Sequence, residues 1–236
     1  KLLMRLLRRS LVMATSNLFP VFPTPISLYN FGNESHEMNM ALVTDIFKEE
    51  KDNDGKTRSN MGGWHSKGKL EEKYESFNLL REQIEICCND YANKTGSLDG
   101  LEIRQLWANI NRCGDYNMAH YHPGSVLTGV YYPIAEIADG NAQYQYAEDV
   151  TLIPSCWDGK DGGSVVFHHP AYGKQEGLRN GPEASPYSIE HYHFYPVAGV
   201  LIIFPAHLIH TVTPFKSQKT RISISFCCSY KDNGTN

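Results

Sequence analysis

Two histidines, His120 and His122, stand one residue apart in NMAHYHPG. Residues two apart on a β-strand share a face, so two imidazoles there aim at one point. Such a bite suits iron, copper or zinc. A third candidate, His210, comes much later in FPAHLIHTVTP, and after the loop PFKSQK the strand-like run RISISF opens with Arg221. If those two runs form a hairpin centred between Lys216 and Ser217, His210 faces Ser223 and Arg221 faces Val212. Arg221 and Ser223 then share the sheet face of His210, with Arg221 one pleat away, about 7 Å. A five-carbon dicarboxylate spans that gap: one end chelates a metal held by His210, and the far carboxylate meets Arg221. The guanidinium makes that bidentate, charge-assisted contact better than any other side chain.

A second dyad, His191-Tyr192-His193, and the neighbours His168-His169 supply further imidazoles. A single histidine more often has a structural role than a ligand role. His168, His191 and His193 are therefore read as candidates for a substrate pocket wall, or as plain exposed strand residues, and the first dyad as the metal site.

The elements that must carry these residues are mostly strands. Residues 18–29, LFPVFPTPISLY, hold three prolines, which forbid a helix and suit an extended edge. Residues 37–50 fit a short helix, followed by a polar loop to about residue 63. From Leu70 the apolar positions Tyr74, Phe77, Leu80, Ile84, Cys87 and Tyr91 recur at steps of three and four, the stripe of one long helix. After Gly100 the period becomes two. Leu106, Ala108 and Ile110 alternate with Trp107 and Asn109, and strand-like runs follow at 126–132, 150–153, 164–169, 191–196, 200–205, 207–212 and 221–228. Helices first and strands afterwards give a mainly β fold, an antiparallel sandwich or barrel with an α-helical flank in the N-terminal third.

The chain has 236 residues, enough for a substantial core, and 41% of them are hydrophobic. Its net charge of −4 argues against nucleic acid or an anionic membrane as the main partner, because both are bound through clustered Lys and Arg. No apolar run is long enough to span a bilayer. Residues 1–13, KLLMRLLRRSLVM, are basic and part-apolar, but their charges interrupt any signal-type apolar segment. They are expected to be an extension outside the folded unit. The six cysteines form no C-x-x-C, so reduced thiols are expected. Sequons at Asn33, Asn93 and Asn233 carry little weight without a secretory signal.

Several blocks together resemble the Fe(II)- and 2-oxoglutarate-dependent oxygenases, in particular a branch met in marine bacteria and phages. They are LFPVFPTPI, SNMGGWHS (59–66), LWANINRCGDYNMAHYHPGSVLTGVYYP (106–133), GGSVVFHHP (162–170), YPVAGVLIIFPAHLIHTVTP (195–214) and RISISF (221–226). The resemblance covers roughly residues 17–228 and implies a double-stranded β-helix, the cupin-like jelly roll, with residues 14–236 as one oxygenase domain. It implies Fe(II), 2-oxoglutarate and O2 as cofactor and cosubstrates. His120, His122 and His210 correspond to the metal ligands, and Arg221, with Ser223 and Tyr131 or Tyr132, to the seat of 2-oxoglutarate. The expected reaction is hydroxylation of a small molecule or a protein side chain, with release of succinate and CO2. The expected compartment is the cytoplasm of a bacterium or of a phage's host. Loops 136–161 and 170–190 are the expected lid over the substrate.

The pattern departs from the family at His122, which occupies the position of a carboxylate. Two readings from other classes therefore stay open. One is a three-histidine cupin-type dioxygenase that does not use 2-oxoglutarate, and the other is a jelly-roll binding module without turnover.

Overall fold

Eleven consecutive residues, Thr220–Tyr230, form the strand around which the larger sheet is built. Their alternation, RISISF, sends Ile222, Ile224 and Phe226 to one face and Arg221, Ser223 and Ser225 to the other. The computed structural model describes residues 24–97, 100–138, 141–143, 153–154, 162–169 and 191–231. The basic extension at 1–13, most of both expected lid loops and residues 150–152 lie outside them.

In chain order the described elements are β1 (Ser27–Asn30), α1 (His36–Asp52), β2 (Asn60–Met61), β3 (Trp64–His65), α2 (Leu70–Lys73) and α3 (Glu75–Thr95). Then come β4 (Leu101–Asn111), β5 (Tyr116–His120), β6 (Leu127–Ala138), β7 (Asn141–Gln143), β8 (Ile153–Pro154), β9 (Val165–His168), β10 (His191–Phe194), β11 (Val200–Pro205), β12 (His210–Val212) and β13 (Thr220–Tyr230). The larger sheet runs β1-β11-β6-β13-β4-β3, with β7 paired to β6; the smaller runs β2-β5-β12-β9-β10-β8. This is the double-stranded β-helix expected from sequence, with β1, the proline-flanked segment, at an edge.

The larger sheet is buried on both faces. Against its outer face pack Leu42 and Ile46 of α1 and Phe77, Leu80 and Ile84 of α3, meeting Ile222, Ile224 and Phe226. The inner face meets the smaller sheet in a second apolar cluster, in which Val130, Ile202 and Phe204 face Val165, Phe167 and Phe194. That cluster fills only part of the space between the sheets. The rest is lined by polar side chains.

Two sequence expectations need correction. The stripe from Leu70 does not form one helix, because Tyr74 is extended (φ −129°, ψ 128°) and separates α2 from α3. Its hydroxyl donates to Glu49 Oε2 of α1 at 2.9 Å, and that same carboxylate pairs with Lys73. The apolar spacing survives the break, since Leu70 and Tyr74 are both buried. Nor do β12 and β13 form a hairpin. β12 pairs with β5 and β9 in the smaller sheet, while β13 pairs with β4 and β6 in the larger. Between them the chain crosses the end of the sandwich, held where Phe215 N–H donates to Asp115 O and Gly114 N–H donates to Phe215 O. Those bonds satisfy the backbone through the 112–115 turn, so no tight β12–β13 turn is needed.

Candidate metal centre

β5 and β12 are antiparallel neighbours, and their register sets His120 opposite His210. Their ring centroids are 4.3 Å apart. His122 lies just past the end of β5 rather than on it, because the chain turns at Pro123-Gly124. Its N–H donates to Ala206 O at 2.9 Å, and its ring stands 5.2 Å from His120 and 5.3 Å from His210. Tyr121, between the two, turns outward and is 55% exposed. One ring nitrogen from each of His120, His122 and His210 lies within 4.8 Å of the others, close enough for a single ion to bridge.

The backbone fixes two of the rings. His120 Nδ1 is 2.7 Å from Met118 O, and His210 Nδ1 is 2.9 Å from Leu208 O. A carbonyl only accepts, so Nδ1 carries the proton in each ring and Nε2 keeps its lone pair. An N–H held by a carbonyl is how a protein orients a metal-binding imidazole. Burial lowers the pKa of all three, His122 to about 4 with help from the neighbouring His120, and His210 to about 3. At neutral pH the cluster is therefore uncharged and ready to donate electrons. No carboxylate among the described residues joins it.

Across the sandwich, Arg221 projects inward from β13 and is only 2% exposed. Its Nη1 donates to Asn111 Oδ1 at 2.9 Å and Ser223 Oγ at 3.2 Å, and its Nη2 donates to Tyr132 Oη at 3.3 Å. Every one of these acceptors is neutral, and Nε is buried with no partner among the described residues. A buried cation without an anion costs several kcal/mol, so the arrangement is built for an incoming negative group. Gly163 leaves it room, since a Cβ there would sit 2.9 Å from Arg221 Cδ. The register also corrects the expected relation of the two groups. Arg221 and His210 face each other from opposite sheets instead of sharing one face.

His120, His122, His210, Tyr132, Arg221 and Ser223 line one cavity of about 850 Å³. Of the two tyrosines, only Tyr132 belongs there. Tyr131 points the other way, donating to Asn39 Oδ1 of α1 at 2.6 Å, because adjacent strand residues alternate faces. His168, His191 and His193 are not in the cavity either. His191 pairs with His168, and His193 with Val166, on the face of the smaller sheet opposite to Phe167, Phe194 and His210. They lie outside the sandwich, so the expected pocket-wall role does not hold.

The sequence profile described as "Putative 2OG-Fe(II) oxygenase" matches residues 105–227, from β4 to β13 and just over half of the chain. The chain belongs to this family. The match begins and ends on the strands that carry Asn111 and Arg221, and it encloses all three clustered histidines. Solved structures share the fold. A Pseudomonas putida prolyl-4-hydroxylase superimposes with a TM-score of 0.57 at 12% identity, covering 88% of this chain and 94% of that one. The α-ketoglutarate-dependent epimerase SnoN of nogalamycin biosynthesis gives 0.58 at 11% identity, covering 90% and 80%. A viral collagen prolyl hydroxylase from Paramecium bursaria Chlorella virus-1, solved with 2-oxoglutarate, gives 0.52 at 13% identity, covering 87% and 96%. No curated protein matches the chain.

The chain is thus a 2-oxoglutarate-dependent Fe(II) oxygenase by family, and the cluster His120, His122, His210 fits the metal. Sequence reasoning missed Asn111, although its position is visible afterwards. The alternation that exposes Trp107 and Asn109 to the cavity continues to Asn111 at the end of the same strand. It also missed Ser59, whose Oγ lies 3.4 Å from His120 Nε2 and accepts a bond from Asn117 Nδ2.

Proposed function

We propose that the enzyme hydroxylates a C–H bond of its substrate, with His120, His122 and His210 holding Fe(II) and Arg221, Tyr132 and Ser223 seating the distal carboxylate of 2-oxoglutarate. The observation that carries this reading is the buried Arg221, with an orphan Nε and only neutral partners, set across one cavity from three converging histidines. Iron with 2-oxoglutarate and O2 supplies the oxidising power for an unactivated C–H bond, and the cosubstrate leaves as succinate and CO2. The protein's residues do the positioning. Nδ1–H bonds hold the His120 and His210 rings in place, Asn111 and Ser223 fix the guanidinium plane, and the apolar wall of Val130, Val165 and Phe204 keeps water away from the centre.

Three neutral ligands leave the iron one charge more positive than two histidines and a carboxylate would. That favours an anionic cosubstrate bound tightly at the metal. Free thiols at Cys87, Cys88, Cys113, Cys227 and Cys228 support action in a reducing compartment such as the cytoplasm, and no helix among the described residues is long and apolar enough to cross a membrane.

The test is CO2 release from 2-oxoglutarate labelled at C1, measured with purified protein, Fe(II) and ascorbate. Slow release without added substrate, absent in His210→Ala, is the expected outcome. Fe(II) bound through the histidines with no release of CO2 or succinate would instead favour the three-histidine reading that does not use 2-oxoglutarate.

A further inference from the structure

One wall of the cavity is cationic in a chain that has 26 acidic and 22 basic residues. Lys56 and Arg58, in the loop before β2, and Lys67, in the loop after β3, line the mouth, and none has an acidic partner among the described residues. Glu71 is the single carboxylate among the described residues that line the cavity, whereas Lys69 and Arg104 on the same rim are already paired with Glu72 and Glu102.

The loop that bears Lys56 and Arg58 is tied down. Trp64 Nε1 donates to Asn53 O at 3.0 Å, Lys56 N–H to His65 O at 2.9 Å, and Arg58 N–H to Asn60 Oδ1 at 2.7 Å. Met118 N–H donates to Ser59 O at 2.9 Å, which ties the loop to the strand of His120, and Ser59 Oγ reaches to 3.4 Å from His120 Nε2. Arg58 is therefore one residue from a hydroxyl beside the candidate metal ligand. Trp107 joins the wall to the centre, its ring stacked on His65 (5.7 Å, 6°) and 5.8 Å from His122. A pre-formed wall binds with little ordering cost.

Charge balance points the same way. Iron(II) and the 2-oxoglutarate dianion cancel, the histidines add nothing, and Arg221 leaves one positive charge before the wall is counted. We infer that the oxidised substrate is an anion, with a carboxylate or phosphate held by Arg58, Lys56 and Lys67 while its reacting carbon faces the three histidines. The inference rests on the oxygenase reading, but the wall itself needs no metal.

Calorimetric titration with three probes of similar size tests it: benzoate, phenyl phosphate and the neutral benzamide. The protein is loaded anaerobically with Fe(II) and saturating 2-oxoglutarate, so that Arg221 is occupied. At least one anion should bind about tenfold more tightly than benzamide, a preference of the size expected from several exposed charge contacts. The variant Arg58→Gln/Lys67→Gln should remove that preference while keeping the Fe(II)–2-oxoglutarate absorption band. A preference for phenyl phosphate assigns a phosphate ester, and one for benzoate a carboxylate. No preference over benzamide, or one that the double variant retains, overturns the inference. Repeating the wild-type and variant titrations on metal-free protein separates the two readings. A charge preference that depends on Arg58 and Lys67 there, without any absorption band in the loaded protein, keeps the anion site and removes the oxygenase. A band without the preference does the reverse.

Discussion

On one face of β13, Ile222, Ile224 and Phe226 are fully buried against the helices; on the other, Arg221, Ser223 and Ser225 look into the cavity. The neighbouring β6 divides in the same way, with Tyr131 bonded outward to Asn39 and Tyr132 bonded inward to Arg221. Stability and chemistry thus sit on opposite faces of the same strands, one residue's rise apart. A polar inner face is costly to the sandwich, and the helices on the outer face offset that cost. Substitutions on the two faces should therefore separate cleanly into effects on folding and effects on ligand binding.

The largest effect on folding is expected from Phe226→Ala, which removes a fully buried ring from the outer face. It should cost about 3–5 kcal/mol in denaturant unfolding, with the affinity of the remaining folded protein for 2-oxoglutarate unchanged. Arg221→Ala should do the opposite. 2-Oxoglutarate affinity, read by calorimetry in the presence of metal, should fall by about 2–5 kcal/mol, while unfolding stability stays level or rises because an unpaired buried cation is gone. Equal losses in both measurements would break the comparison.

The two tyrosines sharpen it. Tyr132→Phe should weaken 2-oxoglutarate binding by about 1 kcal/mol and leave stability nearly unchanged, whereas Tyr131→Phe should cost about 1–2 kcal/mol of stability, by removing the buried bond to Asn39 Oδ1, and leave binding alone. A milder test uses pH. Folded His122 and His210 have pKa values of about 4 and 3, below the ordinary 6.5, so between those limits the unfolded chain binds protons that the folded one does not. The stability these neutral rings contribute is fully present above pH 6.5. The metal-free protein should lose it steadily as pH falls from 6.5 toward 4, and His210→Ala should flatten that slope in unfolding curves.

Much of this was legible in the residue pattern. Alternation alone put Arg221 and Ser223 on one face, and the H-x-H spacing plus FPAHLIHTV named the three histidines. What alternation cannot give is the sheet to which a strand belongs. β12 and β13 are neighbours in sequence, yet each pairs with distant strands, and the hairpin reading failed because Phe215 binds the 112–115 turn instead of closing a tight turn. Nor does alternation say which face is inside. His191 and His193 share a face, but the burial of Phe194 and Phe167 on the opposite one turns the histidines outward. There His193 is 4% exposed with both ring nitrogens unpartnered among the described residues, an arrangement for which the structure gives no physical account. Adjacent Tyr131 and Tyr132 posed the same ambiguity, and only the position of α1 resolves it.

The central claim is that three neutral histidines and one buried arginine form a single Fe(II)–2-oxoglutarate site. Anaerobic titration of the metal-free protein with Fe(II) and then 2-oxoglutarate, following the visible metal-to-ligand charge-transfer band, tests it most directly. The band should form in the wild type, vanish in His210→Ala and require much more 2-oxoglutarate in Arg221→Ala. A band that persists in His210→Ala, or one indifferent to Arg221, would contradict the assignment.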